Sequence, residues 1–127
     1  MPIVPLCRIS AKATFPEVVR DVADAIREAR RSGESKLLVV ATDVQFGPPS
    51  VSDRYLMART WAEAAGGRLT LAMACPAGLI DHEKLGVIAG RNFGMQCDVF
   101  CDEAEARDWL VAQEPPEEPP HWPLAQP

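Results

Sequence analysis

Apolar and polar positions in this chain follow two alternating rhythms, one short and of period two or unbroken, the other of period 3.6. In "LCRISAKA", Leu6, Arg8 and Ser10 alternate with Cys7, Ile9 and Ala11 behind Pro2 and Pro5, which predicts a first strand. The rhythm then changes. Thr14 stands three residues before Glu17 in "TFPE", so a hydroxyl and a carboxylate can each take a backbone N–H that the first helical turn leaves unpaired. Behind that cap Phe15, Val18, Val19, Val22, Ile26 and Ala29 recur at helical spacing, and Gly33 follows the basic turn "REARRSG" as a left-handed terminator. "KLLVVATDV" is a valine-rich apolar run, too short for such a helix, and reads as a central strand buried on both faces.

A second helix is predicted from about Ser50 to Ala65, turning Val51, Met57, Trp61 and Ala64 inward and ending at Gly66 and Gly67. "RLTLAMAC" makes a third strand, "DHEKLGVIAGR" a third helix capped by Asp81, and "MQCDVFCD" a fourth strand. In the last helix, "DEAEARDWLVAQ", Asp102 and Glu105 repeat the cap-and-return spacing. Strands alternating with helices imply an α/β fold with a four-stranded, mainly parallel sheet and helices on both faces, because every parallel connection must cross the sheet. Phe100 and Trp109 are expected in its core. Six of the last thirteen positions are proline. Residues 1–114 are therefore expected as a single domain and 115–127 as an extended tail, with Trp122 the one residue able to anchor it.

Composition narrows the partners. A chain of 127 residues that is 47% hydrophobic can bury one core without staples. Its 13 basic and 18 acidic residues leave a net charge of -5, so it lacks the positive field that nucleic acid or an anionic membrane favours. No apolar run approaches the roughly 20 residues of a bilayer span, and "MPIVPLCRIS" lacks a charged segment followed by a long apolar one, which together predict a cytoplasmic protein with no transmembrane segment. Cys7, Cys75, Cys97 and Cys101 form no CxxC pair, and His82 and His121 are the only histidines, so no metal site, cofactor or disulfide framework is expected.

The succession "FPEVVRDVADAIREARRSGESKLLVVATDVQF", a helix ending "AEAAGGRLTLAMA", and then "VFCDEAEARDWL" resembles the STAS domains of anti-anti-sigma factors and sulfate transporters, most of all their uncharacterised relatives grouped with CRAL-TRIO lipid-binding proteins. The likeness runs from about Cys7 to Ala112. Its most specific piece is Val99, Phe100, Asp102, Glu105, Ala106, Trp109 and Leu110, which are packing and capping positions and so speak of a fold rather than a reaction. The resemblance implies strand order 2-1-3-4, with the loops after the second and third strands meeting at one edge. It also lays Ser50 on the family's phosphoacceptor when Phe46 is laid on the family's Phe. Pro48, Pro49 and Val51 then replace that loop's Asp, Ser and Gly.

In open α/β sheets ligands bind outside the carboxyl ends of the strands, where strand order reverses. The loops expected there are "DVQFGPPSVSDR" and "CPAGLIDHE", and the candidate ligand or partner residues are Gly47, Ser50, Ser52, Arg54, His82 and Arg91. Two helix N-termini with these arginines would make a modest anion site, unless the arginines pair with carboxylates such as Asp53 and Asp81. His82 forms no general-base pair with Asp81 or Glu83, since adjacent helical residues diverge by about 100°. Cys97 and Cys101 share strand parity but lie roughly 13 Å apart, and both are expected as core thiols. Cys75 ends the third strand with no histidine tied to it.

Three functions are compatible with this pattern. One is a non-catalytic, STAS-like interaction or regulatory module, with a protein partner or a second copy and no deep pocket. Another is a binder of a small anionic or lipid-like ligand, in a cavity lined by residues such as Phe46, Met73 and Phe93. An enzyme is the third, though no motif specifies a reaction. Ser50, after Pro49 and three residues before Asp53, is expected chiefly as a helix cap.

Overall fold

Lys36–Val40 (β2) and Thr70–Ala74 (β3) carry apolar side chains on both sides and are satisfied only between two layers. The computed structural model, which describes residues 3–116, builds those layers from β1 (Leu6–Arg8), α1 (Phe15–Arg31), β2, α2 (Val51–Ala65), β3, a 3-10 turn at Ala77–Leu79, α3 (Leu85–Asn92), β4 (Cys97–Phe100) and α4 (Glu103–Ala112). The element order is the expected one, and the sheet is parallel throughout. Its strand order, however, is 1-2-3-4 and not 2-1-3-4.

Strand β1 lies at an edge, pairing Leu6 with Leu38 and Arg8 with Val40. The reason is its single buried face. Leu6 and Arg8 are exposed, whereas a central strand must be apolar on both sides, as β2 is. With every crossover advancing in one direction, α1, α2 and α3 fall side by side on one face, as crossovers of a single hand require. Helix α4, which follows the last strand, crosses the other face over β2 and β3.

Alternate residues therefore feed two cores. Leu37, Val39, Leu71 and Cys97 face the three-helix layer together with Val18, Val22, Ile26 and Trp61. Leu38, Val40, Ala72 and Ala74 face α4, meeting Ala106 and Leu110. Alanines on β3 let α4 sit close to the sheet. Phe100 and Trp109 stack at 5.8 Å between ring centroids on the margin of this second core, half-buried rather than inside it.

The caps form largely where the residues call for them. Glu17 N–H donates to Thr14 Oγ1 at 3.3 Å and Thr14 N–H donates to the Glu17 carboxylate at 2.8 Å. Gly66 ends α2 in the left-handed conformation at φ 57°. Gly90 allows α3 to approach the sheet, since a Cβ there would lie 3.0 Å from Cys97 Sγ. Three further expectations fail. Val51 points outward at 67% exposure. Helix α3 starts at Leu85, because residues 82 and 83 form a turn and Lys84 is left-handed at φ 52°. Cys101 is exposed, since β4 ends at Phe100 and strand parity no longer applies to the next residue.

Residues 117–127, including Trp122, lie outside the described residues. Among those described, no helix is long and apolar enough to cross a membrane.

Leu110 is fully buried between α4 and the sheet. Leu110→Ala should lower the unfolding free energy by about 2–5 kcal/mol, read as a lower denaturant midpoint with an unchanged m-value.

Candidate functional site

A sheet of order 1-2-3-4 has no point at which strand order reverses, so the crevice expected at such a point is absent. What forms instead is a cavity of about 100 Å³ between the sheet and the three-helix layer. The loops after β2 and β3 do meet there: Val44, Phe46 and Pro49 come from the first, Cys75, Leu79, Ile80 and Asp81 from the second. Small residues make the room. Ala58 of α2 and Gly86 of α3 face the space, and a Cβ at Gly86 would meet nothing closer than Met57 Cε at 3.5 Å. Val18, Trp61, Leu71, Met73, Met95 and Val99 complete an apolar wall. Trp61 is fixed by its indole N–H, which donates to the Val19 carbonyl at 2.9 Å.

Polar groups gather at one side of this cavity and are paired with one another. Arg54, only 9% exposed, donates from Nη1 to Asp81 Oδ1 at 2.7 Å and from Nη2 to the Leu79 carbonyl at 3.4 Å. Asp81 also receives the Leu85 N–H, at 3.0 and 3.2 Å to its two oxygens, and so caps α3 from four residues ahead. That backbone N–H, and then the Arg54 guanidinium, hold the Asp81 carboxyl below its ordinary range. Lys84 Nζ pairs with Asp98 at 2.9 Å, and Arg91 reaches the same carboxylate at 3.6 Å. The left-handed backbone at Lys84 costs about 1–2 kcal/mol for a residue with a Cβ and is held by these contacts.

Of the candidate residues, Arg54 alone borders the cavity. Ser50 and Asp53 form a reciprocal cap: Asp53 N–H donates to Ser50 Oγ at 3.0 Å and Ser50 N–H to Asp53 Oδ2 at 3.4 Å. Gly47, Ser52 and His82 are exposed and lie outside the cavity lining. Arg91 sits at the far end of α3, donating from Nε to the carbonyl of Cys97, the first residue of β4, at 3.1 Å. The six residues are therefore not one cluster. Phe46 and Met73 line the cavity as expected, but Phe93 packs outside it, edge to face with Tyr55 at 5.2 Å. That pair, with Val51 and Ile88, borders a surface groove of about 260 Å³ between α2 and α3.

Sequence reasoning turned Met57 inward and named Asp81 as a cap and as a partner for an arginine, without placing either at a cavity, and it missed Met95, Lys84 and Asp98. Only the helical phase of Met57 signalled an inward position. Chemically, the site offers enclosure rather than reactivity. Burial pushes the Cys75 thiol up to about 11, with Cys101 adding to the rise and Arg54 opposing it. Cys97 is raised by burial to about 11 as well, against Arg91. Both sulfurs are protonated near neutral pH and poorly suited to nucleophilic attack. Among the described residues no group of three His, Cys, Asp or Glu side chains gathers to hold a metal ion. Comparison with family models, with curated proteins and with solved structures finds no match.

Two outcomes follow from the caps at Ser50 and Asp81. Ser50→Ala should cost about 1 kcal/mol of unfolding free energy while Ser50→Asp, which also caps, stays within a few tenths of wild type. Because the folded state depresses the Asp81 carboxyl, its contribution is present above the unfolded value of 3.8 and is lost as pH falls through the folded value. Unfolding free energy measured between about pH 5 and pH 2 should consequently fall less steeply in Asp81→Asn than in wild type.

Proposed function

We propose that this domain binds a small apolar molecule in the cavity between its sheet and α2–α3, and does not transform it. The observation that carries this reading is an apolar cavity whose bordering charges are already paired, Arg54 with Asp81 and Lys84 with Asp98. An anionic ligand would have to compete with Asp81 for Arg54, whose side chain is almost wholly buried in that pair, which disfavours the anionic alternative. An apolar guest meets no such cost. The apolar walls around this partly open space of about 100 Å³ gain packing contacts when a guest fills it. Dry cavities of comparable size, about 150 Å³ and lined by aliphatic and aromatic side chains, take up benzene or xenon.

A second reading, a STAS-like protein-interaction module, draws on a different observation. Val51, Tyr55, Leu56, Ile88 and Phe93 are exposed on or beside α2 and α3, a grouping of large apolar side chains that solvent alone does not favour. On that reading Ser50 remains a cap and not a switch.

The cavity reading is tested by filling the space. Ala58 is buried and faces the cavity, so Ala58→Leu places a side chain where the ligand would sit. Its stability should match or exceed wild type, whereas overpacking a filled core would cost about 1–3 kcal/mol. Saturating benzene or cyclohexane should raise the wild-type Tm by several degrees and leave Ala58→Leu unmoved. Equal shifts in both proteins, or none in either, would remove the reading.

A further inference from the structure

The cavity wall is rich in sulfur. Of four methionines in the chain, Met57, Met73 and Met95 line it, and of four cysteines, Cys75 and Cys97 do. They arrive from α2, from β3 and the residue after it, from the segment before β4, and from β4 itself. Met73 with Cys75 and Met95 with Cys97 are each two residues apart, the spacing that puts both side chains on one face of an extended segment, and the fold brings these two pairs and Met57 to one surface.

Thioethers differ from the methylenes they replace. Sulfur is polarizable and makes favourable contacts with aromatic rings, commonly against the ring edge, while the unbranched side chain adapts to an irregular gap. Three such side chains can yield around a flat guest more readily than branched aliphatics. Phe15 and Phe46, both in the lining, meet edge to face at 5.8 Å and present further ring surface. The wall is also neutral, since burial keeps both thiols protonated. A soft cation such as Cu(I) favours sulfur too, but an apolar cavity without a free counter-charge opposes placing an ion there.

Resting on the apolar-ligand reading above, we propose that the occupant is a monocyclic aromatic molecule and that Met57, Met73 and Met95 determine its preference for an aromatic ring over an aliphatic group of similar size. Benzene and cyclohexane are the probes. Cyclohexane has the larger apolar surface, so transfer from water alone favours its burial. A benzene affinity about tenfold above that of cyclohexane is expected from three sulfur contacts acting together.

Titration calorimetry of the full chain with each probe measures that ratio. Replacing all three methionines by leucine conserves volume, and the variant should still bind while its benzene-to-cyclohexane ratio falls to about one or below. If the triple variant does not fold, Met57→Leu and Met73→Leu separately should each lower the ratio about twofold. Equal or tighter cyclohexane binding by wild type, or an unchanged ratio in the leucine variants, overturns the aromatic preference and leaves the apolar-ligand reading standing. Failure of wild type to bind either probe overturns that reading and the aromatic preference with it.

Discussion

Everything in this molecule depends on the paired ladder of β2 and β3, in which Leu37 lies beside Leu71, Leu38 beside Ala72 and Val39 beside Met73. Both faces of this ladder are apolar, so neither can be left to water, and burying them demands a layer on each side. Three helices cover one face and a single helix the other. The division follows from strand order, because successive crossovers in one direction all return on the same side.

The unequal division also explains where empty space is found. On the α4 side, Ala72 and Ala74 let Ala106 and Leu110 close directly onto the sheet. On the other side α2 and α3 must span from β2 to β4 while admitting two loops at their ends. Ala58 and Gly86 are too small to fill the gap beneath them, and the long side chains that reach into it are flexible methionines. Arg54 and Asp81 tie the two helices together there. One carboxylate joins α2 to α3 through the guanidinium and the Leu85 N–H, so its loss would loosen the border of the cavity as well as the start of a helix.

On the proposed reading, such a site selects by shape and polarizability. Its charges neutralise one another, its thiols are held protonated by burial, and its hydrogen-bonding groups serve the backbone. Those features suit enclosure of an uncharged molecule more than the stabilisation of developing charge that catalysis requires. The exposed apolar side chains between Tyr55 and Phe93 belong to the same two helices, and Arg54 borders both that groove and the cavity.

The chain by itself determined what depends on near neighbours. The alternation of strand and helix, the reciprocal caps at Thr14 with Glu17 and Ser50 with Asp53, and the left-handed ends near Gly33 and Gly66 rest on contacts within a few residues, and they were legible for that reason. The edge position of β1 was not read from the sequence, where the family likeness pointed to a central place; the outward Leu6 and Arg8 carry the signal that could have shown it. Tertiary structure alone decided the rest. Between a free and a paired Arg54 it chose the pair with Asp81, 27 residues away; it brought Lys84 to a carboxylate 14 residues away, and it assembled the sulfur-lined wall from three separate segments. A cavity is what remains when packed elements fail to fill the space between them, and no single segment encodes that remainder.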